Sequence, residues 1–505
     1  MTGDARARLR EVERDILSRR PESDIEPTLE RIATLTSLLG DPQRACPVIH
    51  ITGTNGKTST ARMIDALLRA RGLRTGRFTS PHLVSMRERI CVDGEPIDAG
   101  RFTALYEEIL PYVKLTDERH GVRLSFFEVL TGMAFAAFAD APVDVAVIEV
   151  GIGGTWDATN VADGAVAVVC PVAIDHTKYL GDTIESIAGE KAGIIKPGAT
   201  AVLAQQPLAA AEVLLRRAAE VGATVAREGL EFGVLGRELA VGGQQLTLRG
   251  LHGTYPEVFL PLFGQHQAGN AACALAAVEA FAGVAGGDPG SPDGYGDRGP
   301  GGGTPRAPLD ADLVRQAFAG VGSPGRLEVL RRSPAVIADA AHNPAGMAVT
   351  VAALRESFTF SRLVGVLAVS ADKDVGGLLD ELEPVLSDIV VTRNSSDRSM
   401  DAGELAVLAR EVFGADRVHV APRLDDAIET AVALADETPD TDLPGSGGVL
   451  ITGSVVTAGD ARLLLGAAAR EPAATAAGGT AGRAGRTGGP RPGTGRHGFT
   501  AADLS

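Results

Sequence analysis

The chain has 505 residues, a formal net charge of −16, and 45% hydrophobic and 22% charged residues. That length is too great for one hydrophobic core and indicates two or three domains. The negative charge disfavours nucleic acid as a main partner, because phosphate backbones are bound by an excess of Lys and Arg. The sequence has no secretion-type N-terminus and no apolar run of about 18 residues, so we expect a cytoplasmic protein without a membrane partner.

The N-terminal part predicts helices followed by an alternating α/β domain. Residues 1–46 contain two amphipathic patterns, RLREVERDILSRR and LERIATLTSLLG, which we expect to pack on the domain that follows. Over residues 47–282 the runs PVIHIT, VDVAVIEVG and GAVAVVCPVAI are apolar on both faces, as in a parallel sheet covered by helices. The segment from GATVAREGLEFGVLG to QQLTLRG has shorter β-like runs and predicts a small antiparallel sheet.

The stretch ITGTNGKTST, residues 51–60, joins the first of these strands to a helix. Backbone N–H groups of a glycine-containing turn at a helix N-terminus bind anions. Lys57 adds a charge suited to the β/γ-phosphates, and the hydroxyl of Thr58 or Ser59 can reach a magnesium ion. The loop is shorter than the usual P-loop, since Ile51 stands where that pattern has its first glycine. Strand, loop and helix agree on a nucleotide site; the alternative is a simple turn with a solvated lysine.

Polar residues follow the next strands, at the sheet edge where open α/β folds bind ligands. Glu149 ends an apolar strand and could hold Mg²⁺, which prefers oxygen ligands, or could simply be solvated. His176 follows another strand, although a lone histidine is more often structural than catalytic. Lys191 lies in a helical pattern and, from the residues alone, is a surface lysine paired with Glu190 or another acid.

A second α/β region follows a break in composition. Residues 283–308 are dense in Gly and Pro and predict a flexible insert. Residues 309–470 contain five strand candidates, in AVIADAAHNP, RLVGVLAVSADKD, DIVVTRNSS, RVHVAP and GGVLITGS, which predict a second open α/β domain. Residues 471–505 are of Ala/Gly/Arg/Pro low complexity and predict a disordered tail.

Several of these motifs together resemble one family. ITGTNGKTST, TSPHLVSMRERI, SFFEVLTGMAF, IDHTKYLGDTIESIAGEKAGIIKPG, GQHQAGNAACAL, ADAAHNPAGM and ITGSVVTAGDARLLL occur in the order and spacing of folylpolyglutamate synthase / dihydrofolate synthase, the folate branch of the Mur ligase superfamily. The resemblance implies a two-domain, Mur-ligase-like α/β fold. An N-terminal P-loop ATPase domain with a parallel sheet would precede a C-terminal Rossmann-like domain.

The resemblance also implies roles for individual residues. Lys57, Glu149, His176 and Lys191 would form the catalytic set. Two Mg²⁺ ions would be held by Ser80, Glu149 and His176, with Lys191 carbamylated. ATP would contact Thr54, Asn55, Gly56, Lys57, Thr58, Asn270, Arg326 and Asp339. The pterin of the folate would meet Thr28, Ser125, Phe126, Phe127, Glu128, Trp156, Asp157 and Ala158.

The implied reaction is ATP-dependent amide formation. The carboxylate of a folate or of dihydropteroate would be activated as an acyl phosphate and then attacked by L-glutamate, and the enzyme would be a monomer. Thr155 departs from the pattern, because the family commonly has an arginine there.

Two other functions compete with this one. A cell-wall Mur ligase usually carries a UDP-binding domain of about a hundred residues before the loop, but here only residues 1–47 precede the first strand. A P-loop NTPase or kinase is disfavoured by the shortened loop, and the NKxD guanine motif of GTPases is absent from the sequence. A non-catalytic relative would be expected to lose Lys57, Glu149 or His176, and all three are present.

Overall fold

The computed structural model describes residues 3–22, 24–285, 307–437 and 447–466. The described residues belong to one compact unit within residues 1–468. Residues 286–306 of the predicted insert and the whole predicted tail lie outside the described residues. Within the described part, no helix is long and apolar enough to cross a membrane.

The first sheet has eight strands in the order β4-β3-β2-β5-β1-β6-β7-β8. Its strands are β1 (Val48–Thr52), β2 (Thr75–Phe78), β3 (Ile90–Val92), β4 (Glu95–Pro96), β5 (Val145–Glu149), β6 (Gly164–Val169), β7 (Thr200–Leu203) and β8 (Thr224–Arg227). The strands from β2 to β8 in that order are parallel, and β3 and β4 add an antiparallel edge. The central strands are buried on both faces, as their apolar runs predict.

Helices cover both faces of this sheet. They are α1 (Gly3–Leu17), α2 (Glu30–Leu38), α3 (Lys57–Ala70), α4 (Ala99–His120), α5 (Phe126–Asp140), α6 (Thr177–Leu180), α7 (Ile184–Ala192), α8 (Leu208–Val221) and α9 (Gln265–Ala285). One core joins α3 and α9 to the sheet, and a second joins α1, α2, α4 and α5 to its opposite face. The two predicted N-terminal helices are therefore present and packed on this region. Helix α9 continues past residue 283, where the flexible insert was predicted to begin.

A small antiparallel sheet lies beside the first sheet. It contains β9 (Gly233–Ala240), β10 (Gly243–Arg249) and β11 (Thr254–Leu260) in the order β11-β10-β9. The antiparallel prediction is confirmed for these strands. It is wrong for β8, which pairs in parallel with β7 at the edge of the first sheet.

The second large sheet has six strands in the order β12-β13-β17-β14-β15-β16. Its strands are β12 (Glu328–Arg332), β13 (Ala335–Ala338), β14 (Arg362–Leu367), β15 (Asp388–Val391), β16 (Val418–Val420) and β17 (Gly447–Thr452). All five predicted strands form and pair in parallel. Strand β12, which the sequence did not predict, adds an antiparallel edge.

The helices after the predicted insert divide between the two sheets. They are α10 (Ala311–Ala319), α11 (Pro344–Ser357), α12 (Val375–Leu382), α13 (Ala402–Phe413), α14 (Leu424–Asp436) and α15 (Val455–Leu464). The last five pack on the second sheet. Helix α10 instead buries Val314 and Phe318 in the core of α3 and α9. Packing thus groups α10 with the first sheet, although the second domain was predicted to start at residue 309.

Candidate active site

The glycine-containing loop connects β1 to α3 with a backbone that only glycine tolerates at its centre. Gly56 has φ of 89°, and a Cβ there would lie 2.6 Å from Oδ1 of Asn270 on α9. The loop is therefore pressed against α9. Lys57 Nζ donates to the carbonyl oxygens of Gly53 at 3.0 Å and Thr54 at 3.1 Å. The solvated-lysine alternative is wrong, because these two carbonyls hold the side chain across the loop.

Glu149 lies at the carboxyl end of β5, directly beside this loop. Its carboxylate is 1% exposed and accepts hydrogen bonds from Thr58 Oγ1 at 2.9 Å and from Ser80 N at 3.4 Å. Among the described residues it has no ion-pair partner within 4.0 Å. Burial raises the pKa of Glu149, and the charge of Lys57 opposes that rise. A buried carboxylate beside two hydroxyl-bearing residues is an oxygen-rich set that suits a hard cation.

Lys191 is not a surface residue. Its side chain is 4% exposed, and Nζ donates to the carbonyl oxygen of Gly53 at 3.0 Å. The predicted pairing with Glu190 is wrong, because Lys191 follows Ile187 and Ala188 by one helical turn and shares their buried face. Burial, together with the nearby charge of Lys57, lowers the pKa of Lys191 to about 7. A substantial share of its amine is therefore unprotonated at neutral pH.

His176 begins the short helix α6, just after the loop that follows β6. Its backbone is in the left-handed region, with φ of 51°, and its side chain is 42% exposed. The preceding Asp175 accepts hydrogen bonds from Lys373 Nζ at 2.7 Å and Asn343 Nδ2 at 3.0 Å. Burial opposes ionisation of Asp175, but His176, Lys373 and His342 together hold its pKa below the ordinary value.

One cavity between the two large sheets brings the predicted nucleotide and metal residues together. Including the space that is open to solvent, it measures about 1030 Å³. The residues that line it include every predicted ATP and Mg²⁺ position: Thr54, Asn55, Gly56, Lys57, Thr58, Ser80, Glu149, His176, Lys191, Asn270, Arg326 and Asp339. The first sheet supplies most of them, and the second supplies Arg326 and Asp339.

The carboxylate of Asp339 is occupied by hydrogen bonds from nearby segments of the protein. It is buried, and its oxygens accept from Leu327 N and Ala341 N, both at 2.9 Å, and from Thr350 Oγ1 at 3.0 Å. These bonds fix the segments on either side of β12 and β13. Arg326 is thereby held at the cavity wall.

Sequence reasoning assigned no role to several residues that line the cavity. His266, Gln267 and His342 line it, although the motifs that contain them were noted. His342 follows β13, so the rule that singled out His176 at a strand end applies to it equally. The burial of His342, then the charge of Lys373, lowers the pKa of its imidazole to about 4.

None of the predicted pterin residues lines the cavity itself. Ser125 and Glu128 form a capping box at the start of α5, and Glu128 also pairs with Arg31 at 3.1 Å. Asp157 accepts from Ile152 N and Thr159 N, both at 3.0 Å, and so holds the turn after β5. These polar groups are occupied by the protein itself, and their role toward a substrate stays a prediction. The remaining positions of this set are Thr28, Phe126, Phe127, Trp156 and Ala158.

Known proteins resemble this chain in sequence and in structure. Residues 325–455 match the family model described as Mur ligase, glutamate ligase domain. A dihydrofolate synthase/folylpolyglutamate synthase of Mycobacterium tuberculosis is 52% identical over 483 residues, covering 92% of this chain and 95% of the relative.

Solved structures agree with these relatives. A Mycobacterium tuberculosis folylpolyglutamate synthase complexed with ADP and AMPPCP superposes with a TM-score of 0.83 at 51% identity, over 93% of this chain and 100% of that one. The Escherichia coli FolC structure in complex with DHPP and ADP gives a TM-score of 0.72 at 29% identity, over 88% of this chain and 94% of that one. The likeness therefore spans both large sheets, far beyond the residues that the family model matches.

Proposed function

The chain belongs to the folylpolyglutamate synthase / dihydrofolate synthase family, and we propose that it joins L-glutamate to folates, and also to dihydropteroate, at the expense of ATP. The observation that carries this proposal is the single cavity on which every predicted ATP and Mg²⁺ residue converges. The relative of Mycobacterium tuberculosis is named for both activities, and its 52% identity over most of both chains supports both here. We expect the enzyme to act as a monomer in the cytoplasm.

The reaction proceeds in two displacements. A carboxylate oxygen of the pterin substrate attacks the γ-phosphorus of ATP, the bond to the bridging oxygen breaks, and ADP leaves. The free amine of L-glutamate then attacks the acyl carbon, phosphate leaves with one oxygen of the original carboxylate, and the amine loses a proton. Neither step needs a protein nucleophile, so the residues act by positioning and by charge stabilisation.

Lys57 is the residue best placed to stabilise the transferring phosphoryl group. Its ammonium is held at the first turn of α3, where the helix N-terminus also favours anions. The carbonyls of Gly53 and Thr54 limit its freedom before ATP binds. Arg326 would approach the phosphates from the opposite wall of the cavity.

Two Mg²⁺ ions fit the donors that surround the loop. Ser80 and Glu149 would hold the first ion, because Glu149 is buried with neutral donors alone. His176 and a carbamylated Lys191 would serve the second, and the lowered pKa of Lys191 supports this modification because carbon dioxide reacts with the unprotonated amine. When bound, the ions would supply neutralisation of the charge that develops on the phosphate oxygens.

The test is product formation by the purified chain. ATP, Mg²⁺ and L-glutamate are supplied with tetrahydrofolate in one reaction and with dihydropteroate in another, and the amide product is identified by mass spectrometry. We expect ADP and amide in equal amounts in both reactions. ADP release that does not require a pterin carboxylate would indicate an NTPase, and turnover only with a UDP-linked peptide precursor would indicate a cell-wall ligase.

A further inference from the structure

An ion pair links the two halves of the cavity wall. Asp175 belongs to the loop after β6 of the first sheet. Lys373 precedes α12, which packs on the second sheet. Lys373 Nζ donates to Asp175 Oδ1 at 2.7 Å, and the two side chains are only 13% and 8% exposed. Because a pair this shielded is little screened by water, loss of either partner leaves a buried charge uncompensated.

The second oxygen of Asp175 is bound from the same side. Asn343, which caps the start of α11, donates from Nδ2 to Asp175 Oδ2 at 3.0 Å. The Asn343 amide also pairs with the Asn55 amide of the glycine-containing loop between β1 and α3 (the phosphate loop), at 3.2 and 3.3 Å. Asn343 thus contacts both the Asp175 loop and the phosphate loop, and Lys373 contacts the Asp175 loop.

Asp175 also reaches the backbone of its neighbour. Its Oδ1, the oxygen that accepts from Lys373, accepts the N–H of His176 at 2.8 Å. That bond lies within the left-handed turn, with φ of 51° and ψ of 38°, that starts α6. The Asp175 carboxylate therefore bonds both to Lys373 and to the turn that carries His176, a predicted metal ligand.

We propose that Asp175 is a positioning residue. When the second sheet and its helices (the second sheet region) are docked against the first, Lys373 and Asn343 hold the Asp175 carboxylate. That carboxylate in turn holds the His176 turn, and Asn343 holds the phosphate loop. This inference rests on the proposed function, since it assigns Asp175 and Lys373 a role in assembling that same site. It follows that the His176 turn is held in its left-handed conformation when Lys373 is docked and is released when the pair is broken. The role is conformational, so neither Asp175 nor Lys373 needs to contact ATP.

The variants that test this are Lys373→Met, Asp175→Asn and the double variant. Each single change should lower kcat/KM for ATP by about tenfold or more, since only the docked fraction of molecules is competent. The double variant should be no worse than the poorer single one, because both remove the same interaction. Lys373→Arg should recover part of the loss, which a purely volume-dependent role would not predict.

A matched control is available next to Lys373. Asp372 pairs with Arg398 of its own sheet region at 2.6 Å, with side chains 52% and 49% exposed. Asp372→Asn removes a neighbouring ion pair that does not cross the cavity, so kcat/KM should stay within about twofold, as for other exposed pairs.

Docking itself is measured by pulsed electron spin resonance. Spin labels on the exposed positions Glu220→Cys of α8 and Glu411→Cys of α13, in a Cys46→Ser background, report the distance between the two sheet regions. With AMPPCP and Mg²⁺, the parent should give one narrow distance distribution, and Lys373→Met should broaden or lengthen it. An unchanged distribution in Lys373→Met, or additive losses in the double variant, would overturn the proposal. Because AMPPCP is not turned over, this readout is independent of ligase activity, whose absence in the parent would instead overturn the proposed function.

Discussion

Lys57 and Lys191 donate to the same acceptor, the carbonyl oxygen of Gly53, each at 3.0 Å. Two ammonium groups this close repel each other, and only one of them lies at a helix N-terminus open to phosphate. Burial, together with the charge of Lys57, lowers the pKa of Lys191 to about 7. In the proposed reaction the two lysines therefore act differently: Lys57 binds phosphate at the helix N-terminus, and Lys191 reacts through its free amine.

Lys57→Ala should abolish glutamate ligation and leave the fold intact. Within the described part of the chain, the side chain donates to two carbonyls of its own loop, so its loss breaks no hydrogen bond to another element. We expect kcat to fall by about 10²- to 10³-fold or more, as when other preorganised donors to a transition state are removed. Thermal melting and steady-state ADP release are measured on the same preparation. A variant with normal turnover and an unchanged melting temperature would contradict the assignment of Lys57.

Lys191→Arg should be severely impaired at ordinary Mg²⁺ concentrations. The guanidinium cannot form a carbamate and would place a fixed cation beside Lys57, at the carbonyl oxygen of Gly53. Loss of a metal-supporting group typically costs about 10- to 100-fold in metal affinity or activity. Lys191→Glu restores a carboxylate at shorter reach and should recover a small part.

Carbamylation is detected without reference to activity. The purified protein is exchanged into ¹³C-bicarbonate, and a carbamate carbon resonance should appear in the parent and be absent from Lys191→Arg. An active Lys191→Arg enzyme, or an identical spectrum for both proteins, would refute the carbamate.

Gly56→Ala should weaken ATP binding more than it destabilises the fold. The added Cβ would meet Asn270 at 2.6 Å, so the loop must move away from α9. Gly72→Ala is the matched control, because its φ of 79° imposes similar backbone strain but its Cβ would meet nothing within 4 Å. Both variants should lose about 1–2 kcal/mol of stability from the left-handed backbone. Only Gly56→Ala should raise the KM for ATP, and an equal rise in Gly72→Ala would contradict this reading.

The protein should lose stability in mild acid through His50. This histidine is fully buried on β1, where it donates from Nε2 to Thr159 Oγ1 at 2.9 Å, and burial lowers its pKa to about 3. Between about pH 6.5 and 3 the unfolded chain binds a proton at His50 that the folded chain does not, so the free energy of unfolding falls as the pH falls.

The contribution of this one group should be about 2 kcal/mol between pH 6.5 and 5. Denaturant unfolding at both pH values is compared for the parent and for His50→Gln, which cannot titrate. The parent should lose more stability than the variant over this range, and equal losses would show that His50 does not contribute.

Much of the fold and the nucleotide site could be predicted from the sequence. The loop of Gly56 and Lys57 and the acid Glu149 lie at strand ends, and parallel strands bring such ends to one edge. The position of these residues at the ends of parallel strands explains why the predicted ATP residues of the first sheet share a cavity.

What could not be predicted depends on packing between distant segments. Lys191 directly follows the acidic Glu190 in sequence, so its burial becomes visible only when α7 is placed against the phosphate loop. Helix α10 follows a Gly/Pro-rich stretch that resembles a domain boundary, yet Phe318 packs back on the first core. The contact between Asp175 and Lys373 joins two sheet regions, and no periodicity in either segment encodes it.

We propose above that ATP activates the carboxylate of the pterin substrate as an acyl phosphate, and isotope transfer tests this step most directly. Tetrahydrofolate labelled with ¹⁸O in its glutamate carboxylates is turned over with ATP, Mg²⁺ and L-glutamate, and the inorganic phosphate released is analysed by mass spectrometry. An acyl phosphate intermediate predicts one ¹⁸O atom in each phosphate formed, in step with amide product. Unlabelled phosphate would mean that water attacks ATP, and would contradict the account.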